Sequence, residues 1–264
     1  MELLQTIVLG IIQGITEFLP VSSTAHLMIL PEIFGFSYQG RTMDIFLNIG
    51  TLAAVLVFYR RDIWNLILGL CDFFRAKTSD NREFFLTMFL ANAPLIVIFG
   101  LIEVIWGFEI NSMLMFGINL IFFGILLMIT DTAPIKKNMI TRRDAIITGL
   151  WQMLSLFPGV SRLGICYTVL RQKEYNRQES FKFSMLLSIP SVAGACFLKM
   201  LKIISGDIAM VDLQQILLSA LVAFGVGLLS ITLVTKLLVK HSFIPLMIYR
   251  IIFGIYVTSR FFMS

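Results

Sequence analysis

The chain has 264 residues, 58% of them hydrophobic and only 14% charged, with a net charge of +5. Soluble domains carry about a quarter charged residues, so this composition excludes a soluble enzyme and identifies an integral membrane protein. The basic excess marks cytoplasmic loops rather than a nucleic-acid surface, and three widely spaced cysteines (Cys71, Cys166, Cys196) give neither a disulfide framework nor a zinc site.

Uncharged runs at 84–102, 110–130 and 213–235 approach or exceed the roughly 20 residues a spanning helix needs. They read as helices because backbone polar groups in lipid must be satisfied within the segment, and the alternation of a membrane barrel is absent. The chain opens Met-Glu with no basic leader, so a cleaved signal peptide is not expected. In chain order the hydrophobic segments run approximately 3–19, 21–35, 42–59, 84–104, 110–131, 144–156, 160–170, 180–204, 212–239 and 242–261. Four are too short to span: 3–19 with 21–35, split by Pro20, and 144–156 with 160–170, split by Pro158. Proline stops a helix at the preceding residue, so each pair reads as a re-entrant hairpin.

The expected fold is therefore an all-α integral membrane protein of six transmembrane helices plus two re-entrant helix hairpins. Loop 60–82 (Arg60, Arg61, Arg75, Lys77, Arg82), loop 132–143 (Lys136, Lys137, Arg142, Arg143), loop 171–179 (Arg171, Lys173, Arg177) and turn 236–241 (Lys236, Lys240) then share one face. Loops 103–109 and 205–212, with Glu103, Glu109, Asp207 and Asp212, share the other. The positive-inside rule puts the basic face in the cytoplasm and both termini outside. Three spans follow each hairpin, and an odd number inverts the second unit. The chain is thus read as a single membrane domain, 1–264, built from inverted repeats at about 1–131 and 144–262. "GIIQGITEFLPVSS" (10–23) echoes "GLWQMLSLFPGVSR" (149–162), pairing Gly10 with Gly149 and Gln13 with Gln152. Interrupted helices in such repeats point to a binding site near the midplane.

The interruptions carry costly polar groups. Gln13 and Glu17, four apart, share a helix face. Ser22, Ser23 and Thr24 suit the N-terminus of the next half-helix, with His26 in its first turn. Helix N-termini present free N–H groups and partial positive charge, an anion site whose usual occupant is phosphate. In the second hairpin Pro158-Gly159 turns, Ser161 caps, and Arg162 offers a forked cation suited to phosphate oxygens. Converging N-termini would form a phosphate cradle. Ser22, Ser23 or Thr24 is then a nucleophile activated by His26, or water attacks instead. Glu17 adds acid–base capacity or holds magnesium or calcium against a diphosphate. His26, three residues after Ser23, is expected to act as base and then acid. His241, beside Lys240, reads as interfacial. Arg250, central in the last segment, either neutralises a buried carboxylate or touches substrate.

"QGITEFLPVSSTAHL" (13–27) and "FPGVSR" (157–162) resemble the two signature regions of the undecaprenyl-diphosphate phosphatase family, also called bacitracin-resistance proteins. Gln13, Glu17, Ser22, Ser23, Thr24 and His26 match the first signature; Pro158, Gly159, Ser161, Arg162 and Gly164 match the second. Segments 46–63 and 242–251 are also similar to the family. The resemblance implies hydrolysis of undecaprenyl diphosphate to the monophosphate, which recycles the cell-wall lipid carrier and confers bacitracin resistance. It implies a bacterial plasma (inner) membrane and an outward-facing active site. The expected partners are the polyprenyl diphosphate lipid and the bilayer, with a homo-oligomer left open and no nucleic acid. Leu163 and Cys166 stand where the family usually has Ser and Thr, Ala25 where Gly is common, and Asn48 where Gln or His is usual. The first loses a hydroxyl beside Arg162, and the second swaps a strong donor for a weak one.

On these readings the catalytic residues are Glu17, Ser23 and His26, the phosphate-binding residues are Gln13, Ser22, Thr24, Ser161 and Arg162, and Glu17 is the ligand of a divalent cation. The alternatives are a polyprenyl-phosphate transporter, whose architecture inverted repeats also suit, and an inactive relative. The topology has a direct check. Cysteines introduced at Ser37 and Gly206 are expected to react with a membrane-impermeant thiol reagent added outside, and one at Lys137 is not; outside labelling at 137 would reject the arrangement.

Overall fold

The computed structural model describes residues 2–36, 40–106, 112–206, 212–238 and 241–263. Ser37, Glu109, Asp207 and Lys240, which bear on the topology above, lie outside the described residues. The described chain is helical: α1 (Glu2–Thr16), α2 (Ser23–Ile33), α3 (Gly40–Phe58), α4 (Arg60–Phe74), α5 (Asp80–Trp106), α6 (Met113–Asp131), α7 (Arg142–Gln152), α8 (Arg162–Gln172), α9 (Arg177–Ile204), α10 (Leu213–Leu237) and α11 (Ile244–Met263), with one 3₁₀ turn at Met153–Leu156. By length and apolarity α6, α9, α10 and α11 are fit to cross a membrane, and α3 with α4 makes a fifth if that bent pair counts as one span.

Two boundaries differ from expectation. The segment 60–74, expected within a loop, is helix α4, turned 82° from α3 at Tyr59. Its charged start (Arg60, Arg61, Asp62) ended the hydrophobic run in sequence, yet Ile63, Leu66 and Leu70 recur at helical spacing. Gly69 seats α4 on α5, since a Cβ there would stand 2.1 Å from the Asn81 carbonyl oxygen. The first half-helix also ends earlier than Pro20, at Thr16, so Glu17 sits in the turn. Its N–H still bonds the Gln13 carbonyl at 3.0 Å, which keeps the two side chains on one side.

Lipid supplies no hydrophobic drive between helices, so close backbone approach at small residues holds them together. Gly10 and Gly14 of α1 lie against α10, each with a carbonyl oxygen 3.0 Å from where a Cβ would be. Gly149 of α7, the sequence match of Gly10, lies against α5 in the same manner, 1.8 Å from the Ala91 oxygen. Helix α10 also packs on α3, α5 on α9, α3 on α9, and α6 on α11. Val21 and Val160, one from each interruption, are buried in one hydrophobic cluster with Leu163 and Leu187.

The ends of α6, α8, α9 and α11 are knotted around Asp131. This fully buried carboxylate accepts from Tyr167 Oη at 2.8 Å, Arg177 Nε at 3.2 Å and the Phe243 N–H at 2.9 Å. Arg171 Nε lies 3.4 Å away, and its terminal nitrogens bond the carbonyls of Tyr175 and Ala133. Tyr175 in turn donates to Asp144 at 2.8 Å. The residues of the predicted basic loops are therefore partly structural here, holding the chain crossings at this end of the helices together. Removing one partner of such a buried pair leaves an uncompensated charge worth about 3–5 kcal/mol. Asp131→Ala is expected to destabilise by that order, read as a lower thermal midpoint in detergent; an unchanged midpoint would show the knot is dispensable.

Candidate active site

The two interruptions share one backbone feature. Ser22 and Ser161 occupy equivalent places in the echo and both adopt left-handed conformations, at φ +70° and +61°. Non-glycine residues there are strained by about 1–3 kcal/mol each and persist only when surroundings hold them. Ser161 caps α8 by accepting from the Gly164 N–H at 3.2 Å. In the first turn His26 Nδ1 lies 2.8 Å from the Ser22 carbonyl. A carbonyl only accepts, so Nδ1 carries the proton.

Arg250 joins the turns. Its Nη1 donates to the Pro20 carbonyl at 2.6 Å, and its Nη2 donates to those of Gly159 at 2.9 Å and Val160 at 3.0 Å. Nε donates to the Leu120 carbonyl at 3.1 Å, and the whole side chain is buried. The expected carboxylate partner is not what Arg250 meets among the described residues: its partners are backbone carbonyls. A second clasp is Asn119, which donates to the Pro158 carbonyl at 2.7 Å.

Between the turns lies a cavity of about 660 Å³. Gln13, Glu17, Ser22, Ser23, Thr24, Ser161 and Arg162 all line it. The sequence reading thus brought together residues nearly 150 positions apart. Ser23 Oγ donates to Glu17 Oε2 at 2.6 Å, and Gln13 Nε2 donates to the same oxygen at 3.2 Å. Gln13 Nε2 also faces Asn48 Oδ1 at 3.3 Å and Thr51 Oγ1 at 3.4 Å, while its Oε1 is buried with no donor. Arg162 Nε and Nη1 are likewise buried without an acceptor. A buried guanidinium with open donors beside two helix N-termini suits an anion.

His26 departs from expectation. It is buried and is not part of the cavity wall; besides Ser22 it meets Tyr249 Oη at 2.8 Å through Nε2 and stacks on Phe253 at 4.4 Å. Both ring nitrogens are engaged on the α11 side of α2. The hydroxyl of Ser23 goes to Glu17, because three residues along a helix place two side chains near each other only if both lean the same way. Cys166 also differs: its thiol turns to Gln152 Oε1 at 3.5 Å rather than to the cavity, whereas Leu163 does line it. Sequence reasoning missed Asp44 and Lys199 in the wall. The polar residues at 44, 48 and 51 in the apolar third segment were the available signal for α3.

Fold and site together define a polytopic helical membrane protein with a polar-lined cavity between two helix interruptions. Residues 6–256 match the family described as bacitracin resistance protein BacA. A relative from Dinoroseobacter shibae is 38% identical over 261 residues, covering 96% of this chain and 97% of its own. Relatives from Ruegeria sp. (39% over 264 residues; 96% and 97% coverage) and Geobacter sulfurreducens (37% over 263; 96% and 96%) are similar, and all three are named undecaprenyl-diphosphatase. The chain belongs to the bacitracin resistance protein family.

The open donors of Arg162 generate a prediction. Arg162→Lys keeps the charge and loses the planar fork. Phosphate release from a polyprenyl diphosphate is expected to fall at least tenfold, roughly 1.4 kcal/mol of transition-state stabilisation. Near-normal turnover would remove the bidentate contact from the account.

Proposed function

We propose that this chain hydrolyses undecaprenyl diphosphate to undecaprenyl phosphate and inorganic phosphate, with the cavity between the two turns as the active site. The relatives carry the name of a hydrolase, which favours hydrolysis over transport. The observation that carries the site assignment is the Ser23–Glu17 hydrogen bond facing a guanidinium with unmet donors. The terminal phosphoryl group sits against the N-termini of α2 and α8, held by Arg162, Ser161, Ser22 and Thr24. Glu17 takes the proton of the nucleophile, which is the Ser23 hydroxyl or a water in its place. Attack on the terminal phosphorus breaks its bond to the bridging oxygen, and the lipid monophosphate leaves. With Ser23 as nucleophile, water then releases inorganic phosphate from the serine.

His26 becomes a positioning residue in this reading. Its Nδ1–H holds the Ser22 carbonyl and so keeps the strained turn that aims Ser23 and Thr24 into the cavity.

A divalent cation fits the donor set. Glu17 and the unmet Oε1 of Gln13 are hard oxygens of the kind magnesium and calcium prefer. Among the described residues no cluster of three or more His, Cys, Asp or Glu forms a cage, so Glu17 and Gln13 would hold the ion together with substrate oxygens. Its contribution would be to neutralise charge on the phosphoryl group.

The membrane arrangement follows the same reading. The two turns, α1–α2 and α7–α8, are re-entrant hairpins of inverted halves about 1–131 and 144–262, with six spans between and after them. Support comes from reciprocal packing: α1 on α10 and α7 on α5, and α3 on α10 and α9 on α5. The basic knot around Asp131 lies in the cytoplasm, the cavity opens outward, and the bilayer is the bacterial inner membrane. There the product re-enters cell-wall synthesis, and lowering the diphosphate form withdraws the target of bacitracin.

Variants separate the roles of Glu17 and His26. Glu17→Gln is expected to lower the rate of phosphate release by about 10²–10⁴-fold. His26→Gln, which retains a donor for the Ser22 carbonyl, is expected to keep about tenfold more activity than His26→Ala. Equal loss in both histidine variants, with Glu17→Gln still active, would restore His26 as the base.

A further inference from the structure

We propose that Lys199 is a substrate-binding residue, which holds the lipid-linked phosphate of the diphosphate at the mouth of the cavity. This rests on the hydrolase reading above. Four residues of α9 line the cavity: Met185, Ser188, Val192 and Lys199. Their spacings of three, four and seven form one stripe along the helix, about 21 Å long at 1.5 Å per residue. Met185 lies at its inner end, in the core cluster that contains both turns. Lys199 lies at the other, near the C-terminal end of α9; the α2 residues Met28 and Pro31 line the same cavity.

The charge pattern demands an explanation for this lysine. The end of α9 is the one opposite the basic loops, where the positive-inside bias disfavours lysine. Ionisable groups within spans are functional hypotheses by default. Lys199 has no hydrogen bond or ion pair among the described residues. It is also close to the chemistry: Lys199, Arg162 and Glu17 all act electrostatically on the buried Cys196 thiol, one turn before Lys199. The wall itself carries two carboxylates, Glu17 and Asp44, against one guanidinium. A diphosphate brings further negative charge. Arg162 stands at the inner turn, where the terminal phosphoryl group must meet Ser23. The phosphate that stays on the lipid is then nearer the mouth, within reach of an ammonium on a long flexible stem. Lys199 therefore discriminates for a second phosphate and also binds the product.

The test uses the full-length protein in detergent with a polyprenyl diphosphate substrate. Lys199→Met is expected to raise KM about tenfold, with kcat falling less than KM rises. It is also expected to flatten the ionic-strength dependence of kcat/KM and to weaken inhibition by the polyprenyl monophosphate by a similar factor. Lys199→Arg restores KM, and Lys199→Glu raises it beyond Lys199→Met. An unchanged KM and salt dependence in a monodisperse Lys199→Met protein overturns the proposal, as does a loss confined to kcat. Titration of the same lipid onto Ser23→Ala protein, with and without Lys199→Met, separates the two levels of inference. Failure of wild-type protein to release phosphate, with lipid binding still weakened by Lys199→Met, would reject the hydrolase reading and leave the binding site standing.

Discussion

The structure depends on one buried cation. Among the described residues Arg250 has no carboxylate partner; it is satisfied by four backbone carbonyls, from Pro20, Gly159, Val160 and Leu120. Burying an isolated guanidinium costs several kcal/mol, and hydrogen bonds from a charged donor return about 1.5–3 kcal/mol each. Each acceptor that moves away forfeits part of that return, so the arginine favours the geometry of both turns at once. Three of the acceptors, on Pro20, Gly159 and Val160, are there because residues just before a helix N-terminus lie outside any helical ladder; the fourth, Leu120, lies within α6. Gly164 leaves the room: a Cβ on it would stand 3.1 Å from Arg250 Nη1.

Fixing the turns fixes what they carry. Left-handed serines at 22 and 161 are unfavourable alone, yet with the preceding carbonyls clamped they direct two helix N-termini into one cavity. The positive end of each helix and the open donors of Arg162 then address an anion, while Glu17 is kept apart from that cation on the opposite turn. Their separation matters. A direct ion pair would satisfy Arg162 in the resting protein and leave it with nothing to offer a phosphate. The knot at Asp131 is the opposite kind of site, in which the buried carboxylate is matched by Arg171 and Arg177.

The helical membrane class, both interruptions and the polar residues that the two turns bring to the cavity wall were legible in the sequence, because polar residues are rare in an oily chain and prolines punctuate it. Gln13, Glu17, Ser22, Ser23, Thr24, Ser161 and Arg162 stood out on that ground. What was not legible depends on long-range contacts. Spacing placed His26 one turn from Ser23, but helix rotation turns it to Tyr249 on α11, 223 residues away. Arg250 stood out as a charge in a span, but nothing local says that its partners are carbonyls 230 and 91 residues distant. Helix α4 was hidden by three charged residues at its start. Lys199 was hidden by being one of two lysines near a helix end, an ordinary place for them until the cavity wall is seen.

The central claim is that one arginine, bonded to the backbone of both turns, holds the two halves of the cavity together. Turnover of Arg250→Met, measured as phosphate release from a polyprenyl diphosphate on monodisperse protein, tests it most directly. Losing the clamp is expected to lower kcat/KM at least a hundredfold, about 2.7 kcal/mol, with Arg250→Lys recovering little because one ammonium has three donors and no fork. Wild-type turnover in a folded Arg250→Met protein would contradict the account, since the two turns would then keep their places without the bond that joins them.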